Sequence, residues 1–443
     1  MRFIVIGAGE VGRLLARDLS GLKQDVVVID VDPEVLARIE EEIDAMTLLG
    51  QGTHRDVLEQ AGVSGAEIVF ATTPNDATNL VAGALCREMG ARHVAARVVD
   101  PRFFRTTSPV ERGVLGLDVV MCPARLASSQ ILTRIRRLEL PFVANITEFS
   151  AQVVMCPIEG GSRMVNEPAS SSLPGGAAVR AVVRDGMLRG VEEIQRLDVG
   201  DQALIVSPTE GVTAALERMG RVSSIKRLVI VGGGSSGQSL ARSYDTKSTQ
   251  VQLLEIDRAR AERLAAGFEH VRVLAADGTH PDVLRDLQID TAQALASLTH
   301  EDELNLTTAL LARQLGVPHT FIAVGRTGYT EIFEQLGIDG VVSRPEITAR
   351  AMGAFFLKAL QERHTAIPHS HHAMAELMVP KSGAGRVLAD LPLPAQAHVL
   401  AHARRGALLE VDPKRSLEEG DALVFAALPR LLKNLVRLVA GQG

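Results

Sequence analysis

Gly7, Gly9 and Gly12 follow the apolar run at residues 3–6 in the order G-x-G-x-x-G, and residues 13–19 continue with helical spacing. Those residue types in that order hold an anion; they do not break a bond. The first glycine lets the chain turn tightly out of a strand. The second lets backbone approach a diphosphate, and the third lets helix and strand pack closely. Free N–H groups and the partial positive charge of the helix start then face the phosphates. Asp30 closes a second apolar run, residues 26–29, 23 residues after Gly7. A carboxylate at that spacing accepts hydrogen bonds from ribose hydroxyls and disfavours a 2′-phosphate, which selects NAD or an adenine nucleotide over NADP.

The elements that position these residues occur twice. Residues 227–237 repeat residues 2–12 at an offset of 225, and Glu255 again lies 23 residues after the first glycine, Gly232. Between motifs, strand-like and helical runs alternate with short connections: strands at 47–50, 68–71 and 93–98, helices at 34–43, 57–61 and 77–89. That alternation predicts a parallel, doubly wound sheet. Thr53 and Asp56 fit a capping box at the start of the 57–61 helix. The second copy keeps the order: residues 276–282 match 50–56, residues 298–302 match 72–76, and Asn79 pairs with Asn305.

Each copy leads into a longer helix, 122–138 or 349–362, and then into β-rich sequence. Asp185-Gly186 marks a hairpin there. Residues 197–206 and 417–426 share L-x-x-G-D, so the β-rich module is duplicated too. The predicted fold class is α/β: two doubly wound parallel-sheet Rossmann domains, each followed by a small α+β domain. The boundaries are 1–120, 121–140 (crossover helix), 141–222, 225–345, 346–366 (crossover helix) and 367–443.

Composition narrows the function. The 443 residues carry 47 basic and 53 acidic side chains, a net charge of −6 with no basic block, which argues against a nucleic-acid partner. Aromatics are 3% with no Trp, which counts against a stacking platform. Cys86, Cys122 and Cys156 are widely spaced and odd in number, as free thiols of a reducing compartment are. No stretch approaches the ~20 apolar residues needed to span a bilayer. The expectation is a soluble cytoplasmic protein whose first strand begins too early to leave room for a signal peptide.

A dehydrogenase is the obvious reading of the glycine turn, but it needs an acid/base residue and a substrate-orienting cation on a second domain. The β-rich segments here are only ~80 residues, short of a typical ~100–150, and carry no Ser/His/Asp or Cys/His arrangement. A nucleotide site without chemistry beside it reads as a sensor, not an enzyme. An NAD-dependent oxidoreductase of unknown substrate is the alternative. His54 and His280 occupy matching places and read as polar groups at a helix start. Thr72, Thr73 and Thr299 end the fourth strands, where they contact ligand or cap a helix. Arg97 is a phosphate contact or a salt bridge. The tract His364…His369-Ser-His371-His372 lacks His-x-x-x-His on a predicted helix and reads as a linker.

With both modules and their order assembled, the chain resembles the TrkA family, cytoplasmic regulatory subunits of bacterial Trk potassium-uptake systems. These are built from two tandem RCK (KTN) units, each an RCK-N Rossmann domain followed by an RCK-C domain. The resemblance covers essentially the whole chain. Its motifs are I-x-G-x-G-x-V-G followed by Asp30, G-x-G-[TS]-H at 50–54, A-T-x-x-[ND]-[DE]-x-x-N at 71–79, A-R-V at 96–98, and L-x-x-G-D-x-L-x-V in RCK-C. By position, the resemblance implies a first site of Gly7, Ala8, Gly9, Glu10, Val11 and Gly12 on the diphosphate and Asp30 on the ribose, completed by Thr73, Pro74 and Arg97. The second site would comprise Gly232, Gly233, Gly234, Ser235, Ser236, Gly237 and Glu255. The implied ligands are NAD(H) and/or ATP/ADP. The implied assembly is a homo-oligomeric ring, a tetramer of tandem chains, docked at the inner face of the plasma membrane on a TrkH- or TrkG-like potassium subunit; an RCK regulator of a different ion carrier is the second alternative. Association is expected to bury the second face of each Rossmann sheet. The second copy departs from the pattern, with Glu255 for Asp and Ala323 where the first has Arg97.

Overall fold

The computed structural model describes all residues except 101–102, 104–114, 139, 141, 147–150, 171–172, 221–224, 358–363, 405–406 and 442–443. In the first unit, β1 (Arg2–Ile6), α1 (Glu10–Gly21), β2 (Asp25–Asp30), α2 (Pro33–Glu42), β3 (Met46–Leu49), α3 (Arg55–Gln60), β4 (Ala66–Ala71), α4 (Asp76–Glu88), β5 (His93–Arg97) and β6 (Val119–Met121) precede the long helix α5 (Pro123–Arg137). The sheet runs β3-β2-β1-β4-β5-β6, with parallel pairing throughout. Phe3, Ile4, Val5 and Ile6 are all buried because helices cover both faces, which is why the strand reads as an unbroken apolar run. The chain reverses direction across the sheet between β1 and β4. Their carboxyl ends therefore diverge into the crevice where open α/β sheets take ligands.

The second unit repeats this with β12 (Arg227–Val231), α7 (Ser235–Arg242), β13 (Gln250–Glu255), α8 (Arg258–Ala265), β14 (Val271–Ala275), α9 (Pro281–Asp286), β15 (Ala294–Ser297), α10 (Asp302–Gln314), β16 (His319–Val324), α11 (Tyr329–Gln335), β17 (Gly340–Ser343) and α12 (Arg344–Leu357). Its strand order, β14-β13-β12-β15-β16-β17, is the same. The sixth strands, β6 and β17, are three and four residues long and carry too little pattern to be read from sequence.

The β-rich modules are antiparallel. β7 (Phe142–Ile146), β8 (Ala151–Pro157), β9 (Ala178–Arg184), β10 (Met187–Gly190) and β11 (Gln202–Pro208) form one sheet, ordered β10-β9-β11-β8-β7, with α6 (Val212–Arg218) behind it. β18 (His364–Ala366), β19 (Ala373–Met378), β20 (Ala397–Arg404), β21 (Ala407–Leu409) and β22 (Ala422–Ala427) form the other, ordered β18-β19-β22-β20-β21, with α13 (Leu432–Val439). The Asp185-Gly186 hairpin is formed, with both residues at positive φ (54° and 74°), as a two-residue turn between twisted strands requires.

Three expectations need correction. The Thr53–Asp56 capping box does not form: α3 starts at Arg55 with His54 as N-cap and no side-chain cap bond, so Thr53 stands one residue too early. The helix expected at 349–362 begins at Arg344, immediately after β17, and residues 358–362 lie outside the described residues. Residues 364–366, placed in the second crossover helix and the histidine linker, form β18 instead. Thr365 there pairs with Met374 of β19, and a β-branched residue suits a strand better than a helix end.

The halves pack onto each other within one chain. Leu14, Leu15 and Leu19 of α1 and Ile131 and Ile135 of α5 share a core with Leu240 and Tyr244 around α7 and with Ile347 and Met352 of α12. The face expected to be covered by ring association is thus buried by the other half of the same chain. The two antiparallel sheets likewise face each other, with Val153, Met155, Leu204 and Val206 against Met374, Leu400, Val424 and Ala426. Arg136, buried on α5, bonds Gln152, the Thr209 carbonyl (3.1 Å) and Thr213 Oγ1 (3.2 Å). Thr213 in turn donates to the Ser243 carbonyl at 2.8 Å, tying helix, β module and second unit together.

The shared G-D turn is structural. The Asp421 carboxylate, fully buried, accepts Arg404 through both oxygens (2.8 and 2.9 Å), sits 2.8 Å from His402 Nε2 and accepts the Glu418 N–H at 2.9 Å. Asp201 takes Arg184 and the Asp198 N–H in the same way. Burial opposes the charge on Asp421, but the bonds from Arg404 and His402 outweigh it and hold its carboxyl well below the usual carboxylate range. A group depressed on folding gives stability that is present above its unfolded value, about pH 4, and lost as pH falls below it. Asp421→Asn should cost about 3–5 kcal/mol at neutral pH, as loss of one partner of a buried pair does. It should also flatten the acid limb of unfolding below pH 4, measured by denaturant melts across pH.

Candidate functional site

The first site is built at the ends of β1, β2, β4 and β5. Gly7 holds φ at 98° and donates its N–H to the Ile29 carbonyl (2.8 Å), which turns the chain out of β1. A Cβ on Gly7 would come within 2.8 Å of the Thr73 backbone N, so the glycine loop lies directly against the end of β4. Gly9, the N-cap of α1, is exposed with open space where a Cβ would stand. Gly12 is the reverse: a Cβ there would lie 1.9 Å from the Gly7 carbonyl oxygen. Glu10 is exposed beside Gly9, whereas Ala8 and Val11 are buried under the loop. Asp30 accepts the Ala8 N–H through Oδ2 (2.6 Å) and the Asp32 N–H through Oδ1 (3.0 Å), which fixes the carboxylate beside the loop while leaving it partly exposed.

Thr73 and Arg97 are brought to the same end. The buried amide of Asn79 accepts the Thr73 N–H (2.9 Å) and hydroxyl (2.7 Å) and donates to the Thr73 and Arg97 carbonyls, both at 2.8 Å. Arg97 Nη1 donates to the Thr73 carbonyl at 2.9 Å. Burial lowers the Arg97 pKa, and the Asp76 charge works against that. Asp76 itself accepts the Val99 and Asp100 N–H groups (2.9 and 2.8 Å). The last two polar residues of A-T-x-x-[ND]-[DE]-x-x-N therefore satisfy backbone groups, and Thr73 and Pro74 are left at the crevice. Thr73 does not cap α4; Asn75 does, by accepting the Thr78 N–H. His54 and His280 are exposed N-caps of α3 and α9 without side-chain cap bonds.

The second site repeats this frame with coordinated changes. Glu255 accepts the Gly233 N–H (3.1 Å) and the Asp257 N–H (2.9 Å), the two bonds Asp30 makes. A glutamate is one methylene longer, and room for it comes from Gly233 in the place of Ala8. A Cβ at 233 would meet Glu255 Oε2 at 2.7 Å. Glu255 is only 5% exposed and lies 3.5 Å from Arg260, so it is less free than Asp30 to meet a ribose. Gly232 (φ 103°) and Gly237 reproduce the turn and the close approach, with Ser235 and Ser236 opening α7 after Gly234.

Sequence reasoning missed Arg344. Ala323 occupies the Arg97 position, but Arg344, first residue of α12, lies 3.5 Å from Asp302, the counterpart of Asp76. It also donates to the Val324 carbonyl at 3.4 Å, at the end of β16. By strand register Arg344 corresponds to Pro123, the first residue of α5, in the first copy. A cation thus returns to the same end of the sheet from a different element.

Each site touches the opposite half. Thr327 of the second unit donates to Glu10 Oε2 at 2.7 Å. Ser128 of α5 donates to the Ser236 carbonyl (2.7 Å), and Ser236 donates to the Ala124 carbonyl (3.3 Å).

The TrkA-N domain profile matches residues 3–123 and again residues 228–344, the two Rossmann units. The chain belongs to the TrkA-N domain family. A Trk system potassium uptake protein TrkA homolog of Archaeoglobus fulgidus is 29% identical over 432 residues, covering 96% of this chain and 97% of that protein. The Trk system potassium uptake protein TrkA of Vibrio alginolyticus is 24% identical over 446 residues, covering 96% and 95%. Among solved structures, the RCK domain of GsuK superposes with a TM-score of 0.56 at 19% identity, over 99% of this chain and 95% of that one. The GsuK channel bound to NAD gives 0.57 at 19% identity, over 99% and 79%. The tandem arrangement of TrkA-N unit and β module is therefore a shared fold. Among the described residues, no helix is long and apolar enough to cross a membrane.

Proposed function

We propose that this chain is the nucleotide-sensing regulatory subunit of a membrane potassium-uptake system and does no chemistry on its ligand. One observation carries the reading: the loop-and-helix start that would hold each nucleotide is hydrogen-bonded to the opposite half of the chain, Glu10 to Thr327 and Ser236 to Ser128. A ligand that orders one loop then favours one arrangement of the halves, and only that difference in affinity can do work on a partner. The similar Trk system potassium uptake proteins support a potassium-uptake role, and GsuK, whose fold the chain shares, has been solved bound to NAD and bound to ADP. The ligands are NAD(H) and/or ATP/ADP, held first by residues 7–12 with Asp30, Thr73, Pro74 and Arg97, and second by residues 232–237 with Glu255. The partner is a TrkH- or TrkG-like membrane subunit at the cytoplasmic face, and four tandem chains form the ring.

Calorimetric titration with NAD, NADH, ATP and ADP, followed by co-purification with a membrane potassium subunit, tests this. Two distinguishable sites without turnover support it. Steady NADH consumption with a small carbonyl compound favours the oxidoreductase alternative, and absence of binding at millimolar ligand overturns the sensor. Arg344→Met should weaken the second site about tenfold or more, the value of one charge-assisted hydrogen bond, and leave the first unchanged.

A further inference from the structure

The two antiparallel sheets meet at a second group of polar residues far from the glycine loops. Glu192 and Glu193 follow β10 in the first module, and His398 lies on β20 of the second. One ligand atom from each lies within 4.8 Å of the other two. His398 Nδ1 is 3.8 Å from Glu192 Oε1, and Nε2 is 3.8 Å from Glu193 Oε1. Those distances are too long for hydrogen bonds. The two contacts use opposite ring nitrogens, and an ion takes only one of them. With one nitrogen and one oxygen from each carboxylate the set spans at most 4.8 Å, close to the roughly 4 Å between two ligands each about 2.0–2.2 Å from a metal, and the exposed glutamates can close the difference. Glu193 is held in place by the Gly190 N–H at 2.9 Å, which leaves its remaining lone pairs free to bind.

A neighbouring histidine points the same way. His372 is 4% exposed, and neither ring nitrogen has a hydrogen-bond partner among the described residues. A buried polar group left unpaired costs about 1–3 kcal/mol. His372 immediately precedes β19, two residues before Met374, and His398 pairs across the sheet with Ala426, the register partner of Met374. Both Met374 and Ala426 face the first module.

We propose that Glu192, Glu193 and His398, with His372 beside them, form a divalent metal site of the zinc class that clasps the two β modules. Imidazole with carboxylate suits zinc and its neighbours; calcium and magnesium take oxygen ligands. The pseudo-symmetric place of His398, opposite the β11 counterpart of Ala426, is Ala178, so that position offers no second copy of the site. This inference stands apart from the nucleotide reading.

The test is equilibrium dialysis of the full, chelator-stripped chain against zinc, with metal analysis and thermal melts. One zinc ion per chain is expected, with a raised melting temperature that equal calcium or magnesium does not reproduce. His398→Ala should remove the bound ion, and His372→Ala should weaken it at least tenfold. The exposed pair Glu192→Gln with Glu193→Gln serves should a histidine variant fail to fold. Equal zinc uptake by wild type and the carboxylate variant, or no uptake by wild type, overturns the proposal.

Discussion

Asp30→Ala will abolish nucleotide binding at the first site, lowering its affinity by at least two orders of magnitude while the second site keeps its own. Both carboxylate oxygens are already committed to orienting the loop, through the Ala8 and Asp32 N–H groups, and each has capacity left for a ribose hydroxyl. Removing the carboxylate therefore deletes direct bonds to the ligand and releases the loop that frames the phosphates. Bonds to charged groups contribute about 1.5–3 kcal/mol each, so two of them reach the stated factor. Glu255→Ala should have a smaller effect, because Arg260 and burial already restrain that carboxylate. Calorimetry on both variants separates the sites. An Asp30→Ala chain that binds as wild type does would show that the carboxylate shapes the loop and nothing more.

The second large effect separates two glycines three residues apart. Gly12→Ala places a methyl 1.9 Å from the Gly7 carbonyl oxygen, which is backbone and cannot swing aside. Overpacking of this kind costs about 1–3 kcal/mol and more where backbone must move. The first unit should melt well below the second. Gly9→Ala meets nothing within 4 Å, so stability should hold within about 0.5 kcal/mol. Its methyl nevertheless occupies the space through which a diphosphate approaches, and affinity should fall tenfold or more. Thermal melts paired with calorimetry read both. Equal melting temperatures for the two variants would undo the distinction.

The glycine turns, Asp30 and Glu255 were legible because their chemistry is local: strand, turn and carboxylate follow at fixed spacing. The duplication was legible for the same reason. Arg344 was not, since it stands on a different element from Arg97 and joins Asp302 only through the register of β16 and β17. Thr53 and Asp56 show the opposite failure: the residue types of a cap were present, one position away from where the helix starts. The pairing of the halves left no sequence signal, because Leu15, Leu19, Ile131 and Ile135 look like the core of any α/β unit. What they face is decided by α7 and α12, which follow from about 100 to more than 300 residues later. The short strand at 364–366 is not legible in the histidine tract because three residues carry too little alternation to show a pattern.

The shared core between the Rossmann units also sets a schedule for the ribosome. When α5 emerges, its apolar stripe and that of α1 have no partner, because α7 and α12 are still unmade. Synthesis of the roughly 200 residues up to α12 takes about 10–40 s at 5–20 residues per second. Through that interval the nascent first half carries an open oily seam, and chaperones that recognise such surfaces will hold it. A message cut short after the first β module will yield a sticky fragment, whereas co-expressing the missing half should rescue it. Fusing two units into one chain guarantees the correct partner and makes the first half wait for it.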